Sequence, residues 1–240
     1  MYSVEINNGG VYMDKIIQIK DRSINKERNK NMGAFIKIEG LKKNFRNEEV
    51  LKEINIEFEA GNIYGIVGKN GSGKTVFFKI IAGYVKPTSG HVYVGNKEIG
   101  VDTDFAENMG LIIETPGFLT QYSAYKNLAY LASIRNKIGD DEIYTALEMV
   151  DINPFSKKKV GKFSLGMRQR LGIAQAIMED PDLIILDEPM NGLYKYGIKL
   201  VKDLLLKLKE QGKTILISSH YAEDMEICDK VYEMDNGQLI

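Results

Sequence analysis

Three short stretches of this 240-residue chain place side chains where they could do phosphate chemistry. The first is Gly68-Lys69-Asn70-Gly71-Ser72-Gly73-Lys74-Thr75. It fits the pattern G-x-x-x-x-G-K-[ST] and lies between an apolar run, Ile63 to Val67, and a helical stretch. Its glycines let backbone N–H groups close around phosphate oxygens, and the N-terminus of the following helix adds a favourable dipole. Lys74 would place its charge on β- and γ-phosphates, and the Thr75 hydroxyl would reach Mg2+. The second stretch is Leu183-Ile184-Ile185-Leu186-Asp187-Glu188-Pro189. Four aliphatic residues deliver two adjacent carboxylates to a strand end. Downstream of a phosphate loop, Asp187 is expected to hold Mg2+ through water, and Glu188 to orient or deprotonate an attacking water. The third is Phe163-Ser164-Leu165-Gly166-Met167-Arg168-Gln169-Arg170. A Ser followed by a Gly opens a helix here, so Ser164 and the first-turn N–H groups form a second anion site.

A fourth stretch, Leu111-Ile112-Ile113-Glu114-Thr115-Pro116-Gly117-Phe118, poses a question. Three aliphatic residues read as the end of a buried strand, and a carboxylate follows at once. From position alone Glu114 is a metal ligand, a base or an idle solvent-facing charge. His220, after Ile-Leu-Ile-Ser-Ser, also follows a strand, whereas His91 reads as an exposed strand residue. The run Lys157-Lys158-Lys159 with Lys162 reads as a solvated loop.

These residues need elements to carry them. Residues 35–39 have strand character and 54–58 alternate with period two. Residues 63–67 form a short apolar run suited to a strand buried on both faces. A helix is expected over 74–82, stopped by Gly83, then a strand over 91–94. Ser123 caps a helix running to about 137, and a second helix from about 140 carries Ile143, Leu147 and Val150 on one side. Further helices are expected over 165–179 and 197–210, the latter presenting Val201, Leu204, Leu205 and Leu208 on one face. Strands are expected over 183–186, 214–218 and 230–234. Strands alternating with helices imply an α/β fold with a mainly parallel sheet covered on both faces.

The length suffices for one large α/β domain or two small ones, and the composition is that of a soluble globular protein. Apolar residues make up 44% and charged residues 27% of the chain. The net charge of -1 argues against bulk nucleic-acid binding. A single cysteine, Cys228, excludes a disulfide framework and fits a reducing compartment. Two histidines and one cysteine leave no cluster with metal-ligand spacing. No apolar run approaches the ~20 residues needed to span a bilayer. The chain is therefore expected in the cytoplasm, reaching a membrane only through another subunit. Residues 1–33, with a charged, Asn-rich stretch at 20–31, read as an extension, possible helix or strand at 13–19 aside.

With these motifs in order, the chain resembles the ATP-binding-cassette (ABC) ATPases over about residues 34–240. Residues 163–167 are similar to the family's signature Leu-Ser-Gly-Gly-Gln, with Ser164 and Gly166 kept and Phe163, Leu165 and Met167 replacing the rest. The resemblance implies a P-loop NTPase core, a small antiparallel β subdomain near the start, and an inserted α-helical subdomain over about 117–165. It implies ATP and Mg2+ held by Gly68, Asn70, Gly71, Ser72, Gly73, Lys74 and Thr75, with Phe45 stacked on adenine and His220 against the γ-phosphate. It also implies a second ATPase subunit, a homodimer paired head to tail, so that Ser164 and Gly166 cover the partner copy's ATP. An integral membrane subunit would convert that motion into transport, leaving this chain on the inner face of the cell membrane.

Two departures stand out. Asn191-Gly192-Leu193 leads to Tyr194, where the family usually carries Asp; interface geometry and hydrolysis rate are the properties this touches. Glu114 stands where the family usually carries Gln, a residue that contributes to the Mg2+ site and links it to the helical part. Glu at this place, with Thr115-Pro116-Gly117-Phe118, is similar to the ATPases of bacitracin-type and lantibiotic self-protection exporters. The expected function is thus ATP hydrolysis that powers an exporter for a peptide antibiotic or amphipathic compound. The alternatives are a soluble ABC ATPase outside transport and a weakly hydrolysing regulatory module.

Overall fold

A computed structural model describes residues 35–46, 48–114 and 117–240. The expectations for residues 1–33, and Thr115 and Pro116 of the Glu114–Phe118 run, lie outside the described residues.

Two sheets organise the chain. A four-stranded antiparallel sheet has the order β2-β1-β4-β5, from β1 (Ile36–Phe45), β2 (Glu48–Phe58), β4 (Ser89–Val94) and β5 (Lys97–Glu98). A six-stranded sheet has the order β10-β9-β3-β8-β7-β6. Its members are β3 (Ile63–Val67), β6 (Met109–Ile112), β7 (Leu183–Leu186), β8 (Thr214–Ser219), β9 (Lys230–Asp235) and β10 (Gln238–Leu239). Every pairing in it is parallel except the β9–β10 edge. This is the mainly parallel core with a small antiparallel part that the sequence implied.

The reason lies in the strand residues. β7 and β8 are buried along their whole length, which happens to strands covered by other elements on both faces. Successive side chains then feed opposite cores. Ile184, Leu186, Ile215 and Ile217 join one hydrophobic cluster, and Leu183, Ile185 and Leu216 the other. The first cluster contains the helices between β6 and β7; the second contains Phe77, Phe78, Ile80 and Ile81 and the antiparallel sheet. A short 3-10 segment, Ala222–Ile227, presses on β3 where Gly65 leaves room. A Cβ there would sit 2.3 Å from Met225 Sδ.

The helices are α1 (Lys74–Ala82), α2 (Ala124–Arg135), α3 (Asp140–Met149), α4 (Leu165–Ile177) and α5 (Lys195–Glu210). Gly83 ends α1 in the left-handed region at φ 91°, its N–H bonding to Ile80 and Lys79 carbonyls. Ser123 caps α2, its hydroxyl accepting from Lys126 N–H. α2 stops two residues before the expected position 137, because Asn136 turns left-handed at φ 49°. α4 ends at Ile177 rather than 179, and α5 begins two residues before 197. The faces hold as expected: Ile143, Leu147 and Val150 are buried, as are Val201, Leu204, Leu205 and Leu208. No helix among the described residues is long and apolar enough to cross a membrane.

Candidate nucleotide site

The C-terminal ends of β3, β7 and β8 lie side by side, with Ile66 paired to Ser218 and Leu186 to Ile217. Crevices outside the carboxyl ends of parallel strands are where open α/β sheets bind ligands. Each strand end contributes one functional segment.

β3 leads into the 68–75 loop. Lys69, Asn70 and Gly71 form its exposed tip, whereas Ser72, Gly73 and Lys74 are buried. Gly73 stands at φ 113°, and a Cβ there would come within 2.8 Å of Leu51 Cδ2 on β2, so only glycine fits. The Lys74 ammonium, 5% exposed, donates to the carbonyls of Gly68 (2.7 Å) and Lys69 (3.1 Å) and lies 3.9 Å from Glu188 Oε1. The Ser72 hydroxyl is buried and has no hydrogen-bond partner among the described residues. A buried hydroxyl left without a partner costs free energy, and one placed in a glycine-rich loop beside a buried lysine and a helix N-terminus fits a phosphate oxygen.

β7 delivers the carboxylates. Thr75 Oγ1 donates to Asp187 Oδ2 at 2.6 Å, and the Ser218 hydroxyl donates to Asp187 Oδ1. Glu188 is held at φ 50°, a left-handed conformation uncommon for a side chain of its size. Its N–H donates to Ser218 Oγ at 2.9 Å. Ser218 therefore fixes both members of the acidic pair. His220 Nδ1 lies 2.9 Å from Glu188 Oε2. Ser219, one residue earlier, donates to Asp224 and receives Tyr221 N–H, which sets the turn that aims the histidine.

The structure thus brings Lys74, Thr75, Asp187, Glu188 and His220 into one cluster. Among the described residues no group of three or more His, Cys, Asp or Glu could hold a metal alone. Thr75 and Asp187 offer one hydroxyl and one carboxylate. That set suits Mg2+, which keeps waters and takes its other oxygens from phosphate.

Other expected residues sit apart. Glu114, at φ 62°, aims its carboxylate at Lys79 on α1 (2.6 Å) rather than at Thr75 or Asp187. Phe45 is exposed at the end of β1, with Lys43 Nζ 4.6 Å from its ring centroid. Ser164 is exposed and spends its hydroxyl on Met167 N–H as the α4 cap. Gly166 packs on Gly192 and Leu193 of the same chain. Among the described residues neither hydrogen-bonds to the 68–75 loop. Sequence reasoning missed Ser218, Ser219, Lys79 and Gln169. The two serines carried one readable signal: hydroxyls at the end of an otherwise aliphatic strand.

Comparison with known proteins agrees with this geometry. The ABC transporter family model matches residues 51–191. The chain is 42% identical over 206 residues to the ABC transporter ATP-binding protein YybJ of Bacillus subtilis, covering 85% of this chain and 94% of that protein. It is 41% identical to the bacitracin transport ATP-binding protein BcrA of Enterococcus faecalis, covering 87% and 69%. It is 34% identical to the lantibiotic transport ATP-binding protein SrtF of Streptococcus pyogenes, covering 86% and 89%. Among solved structures it is similar to a dimeric bacterial ABC transporter cassette, with TM-score 0.78, 25% identity and coverage of 85% and 96%. It is also similar to cbiO1 of Clostridium perfringens, part of an ABC transporter complex, with TM-score 0.76, 28% identity and coverage of 87% and 88%. The chain belongs to the ABC transporter family, as an ATP-binding subunit whose activity is ATP hydrolysis.

Proposed function

We propose that this subunit powers an exporter of a peptide antibiotic or another amphipathic compound. It works as one of two copies paired head to tail beneath an integral membrane subunit, on the cytoplasmic face of the membrane. One observation carries the catalytic part: the continuous hydrogen-bond chain Thr75–Asp187–Ser218–Glu188–His220 beside Lys74. The export part rests on the Glu114–Phe118 run and on the likeness to bacitracin and lantibiotic transport proteins.

Bound ATP with Mg2+ supplies the phosphoryl group to be cleaved and the metal charge that polarises it. The 68–75 backbone and the Ser72 hydroxyl hold the phosphates, and Phe45 stacks on the adenine. Lys74 leaves its two carbonyl partners for phosphate oxygens and neutralises charge there. Thr75 and Asp187 would hold the metal, and Glu114, two residues past β6, reaches it only by leaving Lys79. Glu188 orients the attacking water and takes its proton. His220 fixes the Glu188 carboxylate and faces the γ-phosphate position. Ser164 and Gly166 of the second copy close the site and exclude water.

The test is to tag this chain in its host, purify it with its membrane subunit, and reconstitute the pair in vesicles. Mg-ATP should drive movement of a labelled cationic or cyclic peptide out of the compartment that contains the ATPase. A purely soluble, ribosome-bound protein with no integral partner would overturn the exporter reading. Tyr194, 91% exposed where the family usually has Asp, favours a second reading, a slowly hydrolysing cassette. Measured turnover in the same complex decides between them.

A further inference from the structure

Gln169 lies on α4, two residues past the segment that resembles the family signature. It is 9% exposed, and its side-chain amide donates to two backbone carbonyls, Glu188 O at 3.2 Å and Pro189 O at 3.3 Å. Those carbonyls belong to the turn that holds the Glu188 carboxylate. Two other contacts tie the same turn to α4. A Cβ at Gly192 would come within 2.5 Å of Leu165 Cδ2, and one at Gly166 within 3.0 Å of Gly192 O. Glu188 itself sits at φ 50°, a conformation that persists only when its surroundings determine it. Ser218 fixes that turn from the β8 side and Gln169 from the α4 side.

We infer that Gln169 is a positioning residue for Glu188, and that it transmits the placement of α4 to the catalytic carboxylate of the same subunit. Ser164 caps α4 and is exposed. Whatever engages the start of α4 moves a helix whose second turn is bolted to the Glu188 turn. A subunit covering its partner's nucleotide would thereby set its own carboxylate. A buried amide suits this role. If α4 shifts, the two N–H groups of the amide and the Pro189 carbonyl lose their bond together, while the Glu188 carbonyl keeps the Asn191 N–H at 3.1 Å, so the turn follows the helix rather than leaving the amide unpaired.

The inference rests on Glu188 as the base, so the experiment includes a control for that reading. ATP hydrolysis is measured on the complex purified with its membrane subunit, in wild type, Q169M, Q169E, E188Q and Q169M/E188Q. Methionine keeps the volume and removes both donors. Q169M should lower kcat by about tenfold or more, since small misplacements of catalytic groups cost up to about 100-fold, with KM for ATP near wild type and a modest fall in melting temperature from the carbonyl it leaves unpaired. Q169E removes the donors at neutral pH and should recover rate relative to wild type as the pH falls and the acid regains a donor. In the E188Q background, Q169M should change the residual rate less than about twofold, because its effect passes through the missing carboxylate. Three results would overturn the inference: Q169M turning over like wild type, Q169M changing only KM, or an equal fold-loss with and without Glu188. E188Q hydrolysing like wild type would instead remove the underlying reading of Glu188.

Discussion

At the scale of single residues, Glu114 shows how one substitution is accommodated. A carboxylate next to a phosphate site should repel ATP unless a cation offsets it. Lys79 does so: it stands one turn beyond Thr75 on α1 and pairs with Glu114 at 2.6 Å. Glu114 is 67% and Lys79 31% exposed, so the pair adds little to stability, and its effect belongs to the nucleotide. K79M should therefore raise KM for Mg-ATP by several-fold, and E114Q in the same chain should restore it; steady-state kinetics of the three variants check this. E114Q alone should leave ATP binding intact and alter hydrolysis or its coupling to transport. Ser218 makes a sharper case. Its hydroxyl joins Asp187 and Glu188, so S218A deprives the part-buried Glu188 N–H and the buried Asp187 Oδ1 of a partner. The expected cost is about 1–3 kcal/mol, read as a loss of melting temperature together with a fall in kcat. The contiguous motifs were legible in the sequence because backbone and side chains act within eight residues. Ser218, Lys79 and Gln169 were not, because each acts on a residue distant in sequence.

At the scale of elements, boundaries follow local chemistry and positions follow tertiary packing. Helix α1 was readable to the residue because glycines bracket it. Helix α2 ended early because Asn136 accepts the left-handed conformation, which no hydrophobic pattern announces. The packing of the 3-10 segment on β3 likewise depends on Gly65 meeting Met225. Asp229, just past that segment, receives the Ile63 N–H at 2.8 Å at the start of β3 and pairs with Lys209 on α5. Burial pushes its carboxyl up, but the Lys209 ammonium and the Ile63 N–H together hold it below the ordinary carboxylate value. A carboxyl depressed in the folded state stabilises above the unfolded value of about 3.9 and loses that contribution as pH falls through the folded value. D229A should lower the melting temperature at pH 7, and the difference from wild type should shrink below about pH 4. Thermal melts across pH 3–7 measure this, and a pH-independent difference would contradict it.

At the scale of the whole molecule, the alternation of strands and helices was enough to give the parallel sheet, but not the strand order. Placing β3 between β8 and β9 aligns the 68–75 loop with Ser218 and Ser219, and that order emerges only from packing. Among the described residues Ser164 and Gly166 make no hydrogen bond to their own phosphate loop, which is consistent with the proposal that they serve a second copy. ATP should therefore drive pairing of E188Q chains, which hold nucleotide without cleaving it. Light scattering should show the mass doubling with Mg-ATP, and S164R should abolish the doubling while leaving nucleotide binding to the isolated chain intact.

The most direct test of the central claim is Mg-ATP turnover by the complex purified with its membrane subunit, in wild type and E188Q. Wild type should hydrolyse steadily, and E188Q should fall by about 100-fold or more with ATP still bound. Equal rates in the two proteins, or no hydrolysis above background in either, would contradict it.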